Sequence, residues 1–303
     1  MKKIAITTSS FGKYDRRPLQ FLEKKDLEIM LNPYGRKLNK SEVIDICNGA
    51  AGIIAGTEKL DAEVMGKLAD LEVISRCGAG LDNVDRDTAR VKGIKVFNTP
   101  EAPVLSVSEL TVALILNLLR KVIRMDAAVR KDEWGKMMGN LLCGKKAGII
   151  GFGRIGKKVA ELLNSFGCEI AYTDPAVENE FTDMKRMSLS DLLGWSNIVT
   201  LHVSGDGMVL GKKELQLMKK GAWLVNVSRG GTVDENALYE ALKEGRLAGA
   251  ALDVFEKEPY DGPLSQLNNV ILTPHVGSYA KEARVEMEIE AVENLLEGLG
   301  LPQ

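Results

Sequence analysis

Three residues able to act together on a small acid stand just after apolar segments: Arg229 in VNVSRGG, Glu258 in ALDVFEKEP and His275 in VILTPHVGS. An arginine is permanently charged and presents a rigid fork of donors, so one placed after a buried strand suits a bound carboxylate. Hydride transfer to a carbonyl needs a proton for the forming alkoxide, and a histidine beside a carboxylate can supply it. Arg229 would hold the acid and polarise the neighbouring carbonyl, His275 would donate the proton and Glu258 would support it. The three fit reduction of a 2-keto acid, or oxidation of a 2-hydroxy acid. Each also has a plainer reading: a cap on nearby carbonyls, a solvated loop residue, and a histidine in a turn after Pro274.

A hydride donor must then be held nearby, and GFGRIG can hold one. Gly151, Gly153 and Gly156 follow the apolar segment AGIIG and precede the helical pattern RIGKKVAELL, the context this glycine spacing requires. The first glycine permits the turn, the second admits a pyrophosphate, and the third lets helix and strand pack closely. The helix amino terminus adds free N–H groups and partial positive charge. Asp174 ends the next strand in AYTDP, eighteen residues after Gly156. A carboxylate there accepts from an adenosine ribose and repels a 2′-phosphate, which favours NAD over NADP.

These residues need a scaffold that gathers strand ends on one edge. Strands are predicted at Lys3–Thr7, Leu27–Leu31, Gly52–Ala55, Leu71–Arg76 and Lys95–Asn98, with helices between them such as 61–69 and 86–91. Ser106-Val107-Ser108-Glu109 reads as a capping box opening a helix to about Lys121. The helix body, LTVALILNLL, is apolar almost all round and suits an internal core or a subunit interface. A second alternating set follows. Its strands are predicted at 147–151, 169–173, 198–202, 223–227, 248–254 and 270–273, with helices near 154–166, 212–219 and 234–244 and a last helix near 280–296. The pattern describes an α/β chain of two doubly wound parallel sheets.

At 303 residues the chain is long enough for two domains. With 27% charged residues and a net charge of −2 it lacks the basic balance of a nucleic-acid or membrane-surface binder. No apolar run reads as a membrane span, and the start is too short in apolar residues for a signal peptide. Cys47, Cys77, Cys143 and Cys168 are scattered, without metal-ligand spacing, so neither metal nor disulfides are expected and a cytoplasmic setting is. His202 and His275 are the only histidines.

GFGRIG, Asp174, NVSRGGTVDENAL, ALDVFEKEP and PHVGS together resemble the D-2-hydroxyacid dehydrogenase family over nearly the whole chain. Within it, RCGAGLDNVD and NTPEAPVLSVSELT look most like phosphoglycerate dehydrogenases. The resemblance implies Arg229, Glu258 and His275 as the catalytic trio. It implies cofactor contacts at Arg154, Ile155, Asp174, His202, Val203, Val227, Ser228, Arg229, Asp253, His275 and Gly277, besides the three glycines. Arg76, Ala79 and Gly80, with Arg229 and His275, would bind the substrate. The implied domains are a substrate-binding one, 1–98 plus 277–303, and an NAD-binding one, 99–276. The implied assembly is a homodimer with the helix after Ser106 in its interface.

The leading expected reaction is D-3-phosphoglycerate to 3-phosphohydroxypyruvate. The alternatives are glyoxylate or hydroxypyruvate reduction, a D-lactate-type activity, or a non-enzymatic NAD-sensing role like that of the C-terminal-binding corepressors. Three departures bear on this. After His202 the chain reads VSGDGMVLG, where many relatives carry a proline and a threonine-rich segment. Ala55 stands where phosphoglycerate dehydrogenases often place an arginine for the phosphate, leaving Arg76 and Lys136 as the cations available. The sequence stops at Gln303, so feedback through a carboxyl-terminal regulatory domain is not expected.

Overall fold

Short runs rich in isoleucine, valine and alanine, bounded by glycine or asparagine turns, form strands buried on both faces. The computed structural model describes residues 1–177, 184–205 and 207–302. The chain divides into two compact units, Met1–Pro103 with Ser278–Gln303, and Val104–Gly277.

The first unit runs β1 (Lys2–Ile6), α1 (Arg17–Glu23), β2 (Leu27–Leu31), α2 (Lys40–Cys47), β3 (Gly52–Ala55), α3 (Ala62–Lys67), β4 (Val73–Arg76), α4 (Arg86–Val91) and β5 (Lys95–Asn98). Its parallel sheet has the order β2-β1-β3-β4-β5, with Ile4 opposite Gly52 and Gly52 opposite Val73. One face packs Val43, Cys47, Val64 and Met65 from α2 and α3. The chain's last helix returns to cover the other face, bringing Met287, Val292, Leu295 and Leu296 against Ile4, Ile6, Ile54 and Val73. Burying each such side chain contributes about 1.5–3 kcal/mol. The approach is close enough that a Cβ on Gly52 would lie 2.6 Å from Leu295 Cδ1.

The second unit opens with α5 (Pro103–Arg120) and α6 (Val122–Val129). It continues through β6 (Lys146–Ile150), α7 (Arg154–Ser165), β7 (Glu169–Thr173), β8 (Lys185–Arg186), α8 (Leu189–Trp195), β9 (Ile198–Leu201), α9 (Lys212–Leu217), β10 (Trp223–Asn226), α10 (Glu235–Lys243), β11 (Gly249–Leu252) and β12 (Val270–Leu272). After it comes α11 (Lys281–Gly298), the helix that covers the first sheet. The order β12-β11-β10-β9-β6-β7-β8 is parallel throughout and reverses direction between β6 and β9. The sequence predicts six of these seven strands; β8 is a two-residue pairing of Lys185 and Arg186 with Ala171 and Tyr172.

The expected capping box is corrected by the structure. α5 starts at Pro103, three residues before Ser106, because proline's fixed φ and missing N–H suit a first helical turn. The hydroxyls of Ser108 and Thr111 donate to the Val104 and Val107 carbonyls one turn back, so they lie inside the helix. Lys121, at φ +57°, ends α5 and starts α6 on a new axis. α5 is also long and apolar enough to cross a membrane, with a mean hydropathy of 1.5, where the sequence reading expects no such run. Its residues Val107, Val112, Leu114, Ile115 and Leu119 are instead buried in the second unit's core with Ile149 and Val225.

Candidate active site

Both β6 and β9 deliver their carboxyl ends to the point where the second sheet changes direction, the place where open α/β sheets bind ligands. The glycine loop follows β6 directly. Gly151 has φ +89°, and a Cβ there would lie 2.6 Å from the carbonyl of His202 at the end of β9. A Cβ on Gly156 would lie 2.1 Å from the Gly151 carbonyl oxygen, so the helix sits on its own entry turn. Gly153, the N-cap of the twelve-residue α7, has open space where its Cβ would be. No acidic residue occupies the first turn of α7, and Arg154 and Ile155 are its first two residues.

Asp174 closes the cradle. One carboxylate oxygen accepts from the Phe152 N–H at 2.7 Å and the other from Ala176 N–H at 2.8 Å, tying the glycine loop to the end of β7. With Pro175, Arg186 and Ser188 it lines a cavity of about 470 Å³. His202 is half-buried and its Nε2 lies 3.0 Å from Thr200 Oγ1, while Nδ1 is sealed from solvent and has no hydrogen-bond partner among the described residues. Burial alone lowers its pKa to about 3, so the ring is neutral. Open glycines, a helix amino terminus without an acid and an orphaned ring nitrogen fit a dinucleotide. Val203 begins the segment after His202; Val209 and Leu210 in it donate their N–H groups to the Thr232 carbonyl, and Asp206 falls outside the described residues.

The chemistry-bearing residues sit beyond three neighbouring strands. Arg229 follows β10, Glu258 follows β11 and His275 follows β12. His275 Nδ1 lies 3.0 Å and 3.1 Å from the two oxygens of Glu258, and both side chains are partly open to solvent. The Phe255 N–H donates to Glu258 Oε1 at 3.1 Å, so the carboxylate is held from its own loop as well. Arg229 is half-buried, and its Nη1 donates to the Ser228 carbonyl at 2.8 Å.

Two buried polar residues set these turns. Asn226, at 2% exposure, accepts from the N–H and hydroxyl of Ser228 and donates to the Arg229 carbonyl and Thr232 Oγ1. Asp253, at 1% exposure, accepts from Thr273 Oγ1 at 2.6 Å and from the N–H groups of Val276 and Gly277, each at 2.8 Å. Its carboxylate therefore clamps both sides of His275, whose φ of +55° is a left-handed conformation that few residues other than glycine adopt. Asn226 and Thr273 are absent from the sequence reading. Their only signal there is a polar residue interrupting or ending an apolar run.

Val227 and Ser228 are buried between β10 and Arg229. Gly230 lies so close to the next loop that a Cβ there would be 1.8 Å from the Phe255 carbonyl oxygen. The opening VNVSRGG is thus a hydrogen-bonded turn whose glycine admits the Glu258 loop beside Arg229.

In the first unit, Arg76, Ala79 and Gly80 lie at and after the end of β4. Arg76 Nη1 donates to the Cys77 carbonyl at 2.8 Å and packs so tightly on Gly78 that a Cβ there would lie 1.3 Å away. Asn98 donates to the Ala79 carbonyl at 2.7 Å, and the Gly78 N–H donates to Thr99 Oγ1 at 2.7 Å. Lys136 is exposed in the second unit's 130–141 segment. Among the described residues no group of His, Cys, Asp or Glu could hold a metal.

Residues 112–277 match the family described as D-isomer specific 2-hydroxyacid dehydrogenase, NAD binding domain. A D-3-phosphoglycerate dehydrogenase of Methanocaldococcus jannaschii is 41% identical over 82% of this chain, which spans about half (49%) of that relative. A hydroxypyruvate reductase of Thermotoga maritima is 35% identical over 95% of this chain and 96% of its own length. A crystal structure of a Thermus thermophilus protein superposes with a TM-score of 0.92 at 35% identity, covering 98% of this chain and 97% of that one.

Proposed function

Because the chain belongs to the D-isomer specific 2-hydroxyacid dehydrogenase family, we propose that it interconverts a D-2-hydroxy acid and its 2-keto acid with NAD. The observation that carries the reading is the His275–Glu258 pair, on a strand edge shared with Arg229 and the glycine cradle. Glu258 accepts the Nδ1 proton and so fixes the tautomer, leaving Nε2 to give a proton to a carbonyl oxygen or take one from a hydroxyl. Arg229 holds the substrate carboxylate with charge-assisted hydrogen bonds. The loop at Gly153 and the amino terminus of α7 hold the pyrophosphate and Asp174 the ribose, with Gly151 and Gly156 letting the turn and helix close; the nicotinamide, when bound, supplies or accepts the hydride.

D-3-phosphoglycerate is the first candidate substrate, supported by the 41% identity to the archaeal phosphoglycerate dehydrogenase. Hydroxypyruvate or glyoxylate is a second, favoured by the near full-length match to a hydroxypyruvate reductase and by Ala55 at the end of β3. Oxidation of NADH by the purified chain against 3-phosphohydroxypyruvate, hydroxypyruvate, glyoxylate and pyruvate tests the reading. Turnover of one of them is expected. Tight NADH binding with no turnover of any of the four would favour a sensing role.

Assembly as a homodimer is part of the proposal. The segment from α6 to β6 exposes Val122, Ile123, Val129, Trp134, Met138 and Leu141, with Trp134 86% open. Apolar side chains so placed suit an isologous interface. Light scattering after gel filtration is expected to give twice the chain mass, and a monomer for Trp134→Asp. All four cysteines are free, as suits a cytoplasmic enzyme.

A further inference from the structure

The three strands that carry Arg229, Glu258 and His275 beyond their carboxyl ends also have an amino edge, and another cavity opens there. It measures about 190 Å³ and touches Trp223 at the start of β10, Ala248 just before β11 and Val270 at the start of β12. β10 and β11 have four residues each, so about 13 Å of strand lies between this cavity and the turns that hold the trio. Its floor is close-packed. A Cβ on Gly249 would lie 2.8 Å from the Asn269 carbonyl oxygen and 3.3 Å from Leu118 Cδ2. Leu118 of α5, Trp223 and Ile271 give it apolar walls.

The corner between α5 and α6 brings two cations to this cavity. Lys121, in its left-handed turn, and Arg124 both line it. Neither forms an ion pair among the described residues, and the acid nearest along α6, Asp126, is bound to Arg130 at 2.8 Å. Lys145 adds a third positive charge 5.9 Å from the centre of the Trp223 ring. Among the described residues no carboxylate lines the cavity; besides the indole, the rest of its polar lining is Asn117, Asn140, Asn268 and Asn269. Asn117 donates to the Ala113 carbonyl at 2.8 Å and Asn269 to the Leu242 carbonyl at 3.3 Å. The amides of Asn140 and Asn268 make no hydrogen bond among the described residues and are left to donate to a ligand. Positive charge and amide donors beside apolar walls attract an anion and cover its non-polar part. Of the lining residues only Ile123 belongs to the apolar set assigned above to the homodimer.

We propose that this cavity is a second, non-catalytic binding site, and that it takes a carboxylate carried on a small apolar body such as a planar ring. Lys121 and Arg124 hold the carboxylate, with Asn140 and Asn268 donating to it, while Trp223, Leu118 and Ile271 cover the ring. The volume suits a ligand smaller than those whose sites span about 300–1,000 Å³. A phosphate brings the charge without the apolar part, and a neutral amide brings the shape without the charge. The site uses no residue of the trio or of the glycine cradle, so it stands apart from the dehydrogenase reading.

Benzoate is the probe, titrated calorimetrically into the purified chain beside benzamide and inorganic phosphate. Saturable benzoate binding is expected, with benzamide and phosphate each weaker by about tenfold or more. Lys121→Asn removes a cation with a residue that accepts the left-handed turn, and Arg124→Gln removes the other. Each is expected to weaken benzoate by about tenfold, as for one lost charge-assisted hydrogen bond. Ala248→Phe, which fills the cavity, is expected to abolish binding there. Arg229 also offers a place for a carboxylate, so Arg229→Gln is titrated as well, and benzoate binding is expected to persist in it. Unfolding midpoints without ligand confirm that each variant is folded. Absence of saturable benzoate binding, affinity unmoved by both Lys121→Asn and Arg124→Gln, loss of binding in Arg229→Gln, or benzamide or phosphate binding as tightly as benzoate would each overturn the inference.

Discussion

His275 Nδ1 faces both oxygens of Glu258, at 3.0 and 3.1 Å, while the Phe255 N–H holds the same carboxylate from behind. The ring is thereby given one tautomer and one orientation. In Glu258→Gln the amide can turn its NH₂ toward Nδ1 and reverse the tautomer. Turnover is expected to fall about 10²–10⁴-fold, the range of a general acid–base contribution, with NADH affinity unchanged. Fluorescence titration of NADH beside steady-state kinetics separates the two effects. Turnover within a few-fold of native would remove Glu258 from the mechanism.

Arg229→Lys keeps the charge and loses the fork. An ammonium cannot bind a carboxylate through two parallel N–H bonds, and the variant is expected to lose about a hundredfold in kcat/KM, or about 2.7 kcal/mol of transition-state stabilisation. Asn226 bonds the Arg229 backbone, not its side chain, so the turn should persist and the melting temperature should move little. Near-native kinetics in Arg229→Lys would contradict the clamp.

Gly230→Ala puts a methyl where the Phe255 carbonyl already is. The Arg229 and Glu258 loops must then separate. Overpacking of this kind costs about 1–3 kcal/mol, so chemical denaturation should show a loss in that range together with lost turnover. Native stability and activity in this variant would mean that the two loops are not in contact.

The His202 ring, lowered to about 3 in the folded chain from 6.5, takes up a proton in the unfolded chain first. The unfolded state therefore binds more protons between these values, and the ring's contribution to stability, complete above pH 6.5, is lost as the pH falls toward 3. Urea unfolding of the native chain is expected to weaken across that window more steeply than that of His202→Gln. Parallel profiles would show that the ring is not held neutral by the fold.

Much of this architecture can be read from residue order. Leu27–Leu31, Gly52–Ala55 and Lys95–Asn98 have the same ends in sequence and structure, because apolar runs there stop at turn formers. The glycine loop is legible for the same reason. The start of α5 is not, since Ser106 to Glu109 carry capping residue types, and only the backbone shows Ser108 and Thr111 bonding one turn back. Nor are the supports of the site. Asp253 reaches Thr273, Val276 and Gly277 across twenty or more residues, and no local pattern announces such a bond.

The return of α11 to the first sheet has a consequence for how the chain is made. The strands β1 to β5 leave the ribosome first, yet Ile4, Ile6, Ile54 and Val73 wait for Leu295 and Leu296 to cover them. The second unit is contiguous and can close before α11 is synthesised, because domains fold as units during synthesis. The portion born first is therefore completed last, and until then its uncovered sheet face depends on chaperones or speed to escape aggregation.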